Sequence, residues 1–247
     1  MIGRVETLLL NRIKNEGCIH LALVDPERIN VNLSSTVTEL ENNGTSGILI
    51  GGSTVKSISQ LDKAVKTIRK SSSLPTILFP NGPTGISRFA DAIFFMSLLN
   101  SKSLEFLIRA QVAGAMAVRA FNLEPIPLGY IVVGNSRTAV SKVGQAEPIP
   151  FSKPNLAANY GLAAQYLGMR FIYLEAGSGA QKPVDARMVE TVTKTVNIPV
   201  IVGGGVRTPM QAEKLAKAGA SAIVTGTMLE RDGIHKARAL LASIRRT

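Results

Sequence analysis

Short apolar runs alternate with amphipathic stretches along nearly the whole chain. That alternation predicts strands followed by helices, hence a parallel sheet covered by helices. Residues 19–24, 47–50, 76–79, 92–96 and 128–133 read as the first five strands, and 170–175, 199–202 and 222–225 as three more. Between them, Leu61, Ala64, Val65 and Ile68 recur at helical spacing. Residues 34–43 read as a helix closed by Gly44, and Pro154 opens another that runs to Leu167. Further helices are expected over 1–15, 184–195, 208–218 and near 234–245. Residues 103–120 read as one long helix. Leu104, Leu107, Ile108, Val112 and Ala115 lie on one face, with Phe106, Ala110, Ala113 and Ala117 on the other. A helix apolar nearly all round is buried on two sides, one of which suits a second subunit.

Two stretches break the rhythm. Asn81-Gly82-Pro83-Thr84-Gly85 is too rich in breakers for a helix, so the third strand is expected to lead into an irregular link. Residues 134–150 show no helical period, and long loops inside a compact domain are often lids or binding loops. Eight strands in 247 residues fit one (β/α)8 TIM barrel, a single domain over 1–247 with no dividing linker. The rival, an open doubly wound sheet, would carry G-x-G-x-x-G after an early strand. Neither that motif nor a phosphate-binding G-x-x-x-x-G-K-S/T loop is present. The glycine-rich turns instead follow strands six, seven and eight, where barrels gather phosphate sites.

Composition narrows the function. Hydrophobic residues make up 45%, enough for a sizeable core, yet no apolar run approaches the roughly 18 residues of a membrane span. The first residues mix Arg4, Glu6, Arg12 and Lys14 with leucines, an amphipathic helix rather than a signal peptide, so a soluble cytoplasmic protein is expected. The one cysteine, Cys18, excludes an intrachain disulfide and a multi-Cys zinc site and reads as a small buried hydrophobe. The net charge of +11 admits nucleic acid, anionic membrane or anionic substrates as partners. Its Lys and Arg residues are scattered, and no aromatic-basic motif accompanies them, which disfavours nucleic acid and leaves a phosphorylated ligand.

The chemistry concentrates at Tyr173-Leu174-Glu175-Ala176-Gly177-Ser178-Gly179. A carboxylate at a strand end followed by bare backbone amides can place a base beside an anionic small molecule. Tyr173 projects to the same side as Glu175. Gly203-Gly204-Gly205 and Thr225-Gly226-Thr227 close the next two strands, and three such ends in succession read as one phosphate pocket. Asp25 ends the first strand and Ser53 follows the second, a carboxylate and a hydroxyl that with waters suit Mg²⁺. His20, near the start of strand one, reads as structural, and His235 as exposed on the last helix. No His/Cys cluster or G-x-S-x-G elbow supports zinc hydrolysis or serine acyl transfer.

With these residues in view, the chain resembles the geranylgeranylglyceryl/heptaprenylglyceryl phosphate synthase family over nearly its whole length. The resemblance rests on Val24-Asp25-Pro26, Gly51-Gly52-Ser53, Ile77-Leu78-Phe79-Pro80, the run Phe94 to Asn100, Glu124-Pro125-Ile126-Pro127, the Tyr173 to Gly179 stretch and Val202-Gly203-Gly204-Gly205-Val206-Arg207. The Phe94 and Glu124 segments look like the archaeal branch. The resemblance implies a modified TIM barrel whose third helix is replaced by an irregular segment. It implies Mg²⁺-dependent transfer of a prenyl group, geranylgeranyl in the archaeal branch, from its diphosphate to the C3 hydroxyl of sn-glycerol 1-phosphate, the first ether bond of archaeal membrane lipids. By the same likeness Asp25 and Ser53 hold Mg²⁺, and Tyr173 through Gly179 bind glycerol phosphate. Gly204, Gly205, Gly226 and Thr227 take its phosphate, and Glu175 accepts the hydroxyl proton. Phe94, Phe95, Met96, Leu98 and Leu99 either line a tail groove or fill the barrel core. A homo-oligomer, dimer or hexamer, is implied, and transient membrane contact is compatible with a lipid product.

The chain departs from the family pattern at Asn81-Gly82, where Gly-Asn is usual. It departs again at Gly134 and Lys142-Val143-Gly144, where a Glu and a Trp are common. Prenyl chain length is the property most exposed to these changes. A phosphosugar isomerase or aldolase on the same barrel competes, although no predicted strand ends in the Lys an aldolase needs. A non-catalytic phosphoglycerol-binding protein is the third reading.

Overall fold

The computed structural model describes residues 2–27, 32–52, 57–134, 138–226 and 238–244. Eight parallel strands close into a barrel in sequence order: β1 (Ile19–Val24), β2 (Gly47–Gly51), β3 (Thr76–Phe79), β4 (Ala92–Leu98), β5 (Glu124–Val132), β6 (Phe171–Glu175), β7 (Val200–Gly203) and β8 (Ala222–Thr225). The helices are α1 (Arg4–Glu16), α2 (Leu33–Asn42), α3 (Ile58–Ser71), α4 (Ala110–Ala120), α5 (Ala139–Val143), α6 (Pro154–Tyr166), α7 (Ala186–Thr195) and α8 (Pro209–Lys217). Residues 238–244 are also helical. No helix among the described residues is long and apolar enough to cross a membrane.

Strand alternation builds two apolar layers. Leu21, Leu49, Ile77, Phe94, Leu128, Phe171 and Ile201 fill the barrel. Their neighbours Ala22, Ile48, Ile50, Leu78, Ile172 and Val202 meet helix residues such as Val37, Leu40, Val65 and Met188 outside it. The first helix closes the N-terminal end, with Val5 and Leu9 packed on the barrel interior. Its start has no side-chain cap of its own, because Gly3 precedes it. The Glu124 carboxylate does that work from β5, accepting from the Val5 and Glu6 amides at 2.7 and 2.8 Å. Any side chain at Gly3 would collide with it, since a Cβ there would lie 2.2 Å from Glu124 Cδ.

Three expectations change. The fifth strand begins at Glu124, not at 128, because Pro125 and Pro127 pair within the β4–β5 ladder and Pro127 O still accepts from the Arg170 amide. Residues 134–150 contain a short helix, α5, capped by Thr138. Residues 103–120 are not one uniform α-helix: Glu105–Arg109 is a π-turn leading into α4. Of the two apolar faces, the one carrying Leu104, Ile108 and Val112 is more than half exposed in the single chain. Gly114 and Val118 carry the buried side.

The link from β3 to β4 contains no helix. The β3–β4 ladder is also short, pairing only Ile77 with Ala92 and Leu78 with Ile93. Beyond Ile93 the β3-facing side of β4 has no strand partner among the described residues, whereas the other side pairs with β5 through Leu98.

Candidate active site

Glu175 ends β6 and points into the barrel mouth, 6% exposed. Its Oε2 accepts from the Tyr130 hydroxyl at 2.8 Å, and its Oε1 from the Gly177 amide at 2.5 Å. Tyr173, two residues earlier on the same inward face, also bonds the carboxylate through its hydroxyl. Burial pushes the Glu175 carboxyl above the ordinary carboxylate range, partly offset by the bonds from Tyr130, Gly177 and Tyr173. Burial first, and then the neighbouring carboxylate, hold both tyrosines well above the usual phenol range, so they remain hydrogen-bond donors. The two rings stack with centroids 4.9 Å apart, because the register sets Tyr130 opposite Tyr173.

The glycine-rich strand ends converge on this carboxylate. Gly204 adopts φ +83°, and a Cβ there would lie 2.5 Å from Glu175 Oε1 and 2.6 Å from the Gly177 nitrogen. At Gly205 a Cβ would meet the Lys182 carbonyl, so the loops after β6 and β7 pack backbone to backbone. Arg207 braces the first loop by donating to the carbonyls of Gly179 and Ala180. Leu174 and Ala176 are buried in the layer between strand and helices, facing away from the barrel mouth, while Ser178 and Gly179 are exposed. Gly226 lies farther round the rim, against the end of β1, with the Leu23 carbonyl 3.3 Å from where its Cβ would stand. Thr227 and Ser53 lie outside the described residues, as does His235.

Asp25 stands at the same end of the barrel, its Oδ1 accepting from the Glu27 amide. A Cβ at Gly52 would come 3.3 Å from Asp25 Oδ2, so the glycine backbone passes close to this carboxylate. Among the described residues no three His, Cys, Asp or Glu side chains cluster as a metal site. A single carboxylate completed by water and a substrate phosphate is a donor set that would suit Mg²⁺.

From Gly52 an apolar cavity runs over Phe79, Phe94 and Tyr130. It then passes round the unpaired edge of β4, where Met96 and Leu98 line it from the inward face and Ile93 and Phe95 from the outward face. Phe106, Ala110 and Gly114 form its outer wall. Of the five apolar residues singled out in the sequence, Phe94, Phe95, Met96 and Leu98 touch the cavity, and Phe94 is also core. Leu99 does not line it and lies instead against Gly129.

Sequence reasoning missed Tyr130. It sits at an inward position of β5, but only the β5–β6 register puts it level with Tyr173 and within reach of Glu175. His20 is buried on the outward face of β1, its ring nitrogens 3.0 Å from Thr45 Oγ1 and 2.8 Å from Thr225 Oγ1. Burial lowers its pKa to about 3, which keeps it neutral.

Comparison with known proteins fits this geometry. A family model described as the PcrB family matches residues 11–244. Geranylgeranylglyceryl phosphate synthase of Pyrococcus abyssi is 49% identical over 99% of this chain and 98% of its own. The enzyme of the same name from Nitrosopumilus maritimus is 46% identical over 95% of this chain and 94% of its own. The crystal structure of (S)-3-O-geranylgeranylglyceryl phosphate synthase from Thermoplasma acidophilum in complex with substrate sn-glycerol-1-phosphate superposes with a TM-score of 0.93. That pair is 40% identical, and each chain is fully covered. This chain therefore belongs to the PcrB family, in which these relatives are geranylgeranylglyceryl phosphate synthases.

Proposed function

We propose that the protein joins the C3 hydroxyl of sn-glycerol 1-phosphate to the allylic C1 of geranylgeranyl diphosphate. The observation that carries this reading is the double role of Tyr130, which lines the apolar cavity and hydrogen-bonds the Glu175 carboxylate. A polar, glycine-walled site and an apolar groove thus meet at one buried base. Two substrates of opposite character are needed to use both.

Glu175 accepts the hydroxyl proton as the new C–O bond forms, and the C1–oxygen bond breaks with its electron pair leaving on diphosphate. Tyr130 and Tyr173 hold the carboxylate in place for that transfer. The stretch Tyr173 to Gly179 surrounds the glycerol, and the backbone of Gly204, Gly205, Gly226 and Thr227 takes its phosphate. Fixing both substrates removes much of the entropic barrier to a bimolecular step. The cavity excludes water from the allylic carbon, which would otherwise be hydrolysed. Asp25, with Ser53, would hold Mg²⁺, which supplies charge neutralisation for the departing diphosphate. The exposed row Leu104, Ile108, Val112 and Met116 supports a homo-oligomeric contact on α4 and the π-turn.

The test is incubation with radiolabelled sn-glycerol 1-phosphate, Mg²⁺ and a ladder of C15 to C35 prenyl diphosphates. Label entering an organic phase, with the geranylgeranyl donor preferred and the 3-phosphate enantiomer inactive, is the expected result. Absence of transfer from folded protein that still binds glycerol 1-phosphate would overturn the catalytic reading in favour of a binding protein.

A further inference from the structure

The π-turn Glu105–Arg109 lies where the helix wall meets the tail cavity, and two side chains hold it there. The Ala110 amide bonds Glu105 O, a step of five residues instead of four. The wide turn needs outside partners for its carbonyls. Ser97, on the outward face of β4, donates its hydroxyl to Leu107 O at 2.7 Å. Gln111 donates its amide to Phe106 O at 3.3 Å and also to Met96 O on the unpaired edge of β4. Its Oε1 is buried with no partner among the described residues, so the side chain is kept at a desolvation cost. That cost is consistent with a role for the two N–H bonds that stitch the turn to the strand.

The stitching decides which side chain forms the wall. With a five-residue step, Phe106 stands one turn below Gln111 and lines the cavity. An uninterrupted α-helix, with four residues per bond, would put Leu107 in that place and turn Phe106 by about 100°. We propose that Ser97 and Gln111 are positioning residues for the donor's tail, setting the length the groove accepts by pinning this helix register. The inference rests on the reading of the cavity as a prenyl groove.

Calorimetric binding of the C15 to C35 diphosphate ladder to Gln111→Leu and Ser97→Ala, beside the parent protein, tests it without requiring turnover. Gln111→Leu keeps the volume and removes the stitch. The ranking of donors is expected to shift by roughly tenfold between neighbouring lengths, the usual scale for a misfit in an apolar pocket. Glycerol 1-phosphate affinity should stay unchanged. Ser97→Ala shifts the ranking in the same direction and by less. If both variants remain folded and keep the parent ranking, the register has no part in selection and the inference falls. If the parent protein itself binds no prenyl diphosphate, the groove reading falls first, and this inference with it. Uniform weakening across the ladder would mark the pair as structural only and would equally overturn the proposal.

Discussion

The Tyr130 hydroxyl reaches across from β5 to donate to Glu175 Oε2 on β6, at 2.8 Å. The bond lowers a carboxyl pKa that burial raises. Tyr130→Phe keeps the ring contacts with Phe79 and Tyr173 and removes the donor. Hydrogen bonds to a charged group contribute about 1.5–3 kcal/mol, so kcat/KM near neutrality should fall roughly 10- to 100-fold. The acid limb of its pH profile should move to higher pH. A pH–rate profile that overlays that of the parent protein would remove Tyr130 from any influence on the base.

Replacing Glu175 itself tests the base. Glu175→Gln is expected to lower kcat by about 10²- to 10⁴-fold while glycerol 1-phosphate still binds. If Glu175 is the base, its ionised form is the active one, and activity of the parent protein should rise with pH through a pKa above the ordinary carboxylate value. Stability runs the other way. A carboxyl whose folded pKa is raised contributes stability that is present below the unfolded pKa and is lost as pH rises through the folded one. The variant should therefore match or exceed the parent Tm at pH 8, and thermal melts at pH 5 and pH 8 measure this directly.

Gly204 is a tight point where the loops after β6 and β7 meet. Gly204→Ala places a Cβ 2.5 Å from Glu175 Oε1 at a φ of +83°. The backbone penalty alone is about 1–2 kcal/mol. Loss of glycerol 1-phosphate binding by calorimetry, with a lowered Tm, is the expected outcome.

At the opposite end of the barrel, Arg170 makes a two-pronged bond to Glu6, at 2.5 and 2.7 Å. The Glu6 side chain is fully buried and that of Arg170 mostly so. Arg170→Ala leaves a buried carboxylate without its cation and should cost about 3–5 kcal/mol in denaturant melts. The double change Arg170→Met with Glu6→Leu should recover most of it. Neither variant should alter kcat while folded, because the pair lies under α1, away from the chemistry.

Cys18 is 2% exposed, and burial pushes its thiol up to about 12. A maleimide at pH 8 should leave it unmodified in the native protein and label it fully in denaturant, as read by mass spectrometry.

Much of this architecture was legible in the chain. Strands β1, β3 and β8 fall where the apolar runs placed them, and the breaker-rich 81–85 stretch does replace a helix. The Glu175 strand end and the Gly204 turn meet because they end neighbouring strands of a sequentially wound barrel. What stayed hidden depends on distant partners. The π-turn is bonded to β4 through Ser97 and Gln111, contacts that the helical period of 103–120 does not encode. Tyr130 joins Glu175 through a register that no local pattern encodes. The start of β5 was obscured by two prolines, residues that normally argue against a strand interior.

The two-pair ladder between β3 and β4 has a wider consequence. A closed barrel ordinarily confines its ligands to the rim, where every change of substrate disturbs the catalytic loops. Here the sheet is left ajar on one side, and a long substrate can leave the reaction centre sideways. On the proposed reading, the wall that would measure the donor's tail is then separate from the carboxylate that would take the proton. A change confined to the turn at 105–109 would then alter the groove and leave Glu175 and the Gly204 turn untouched.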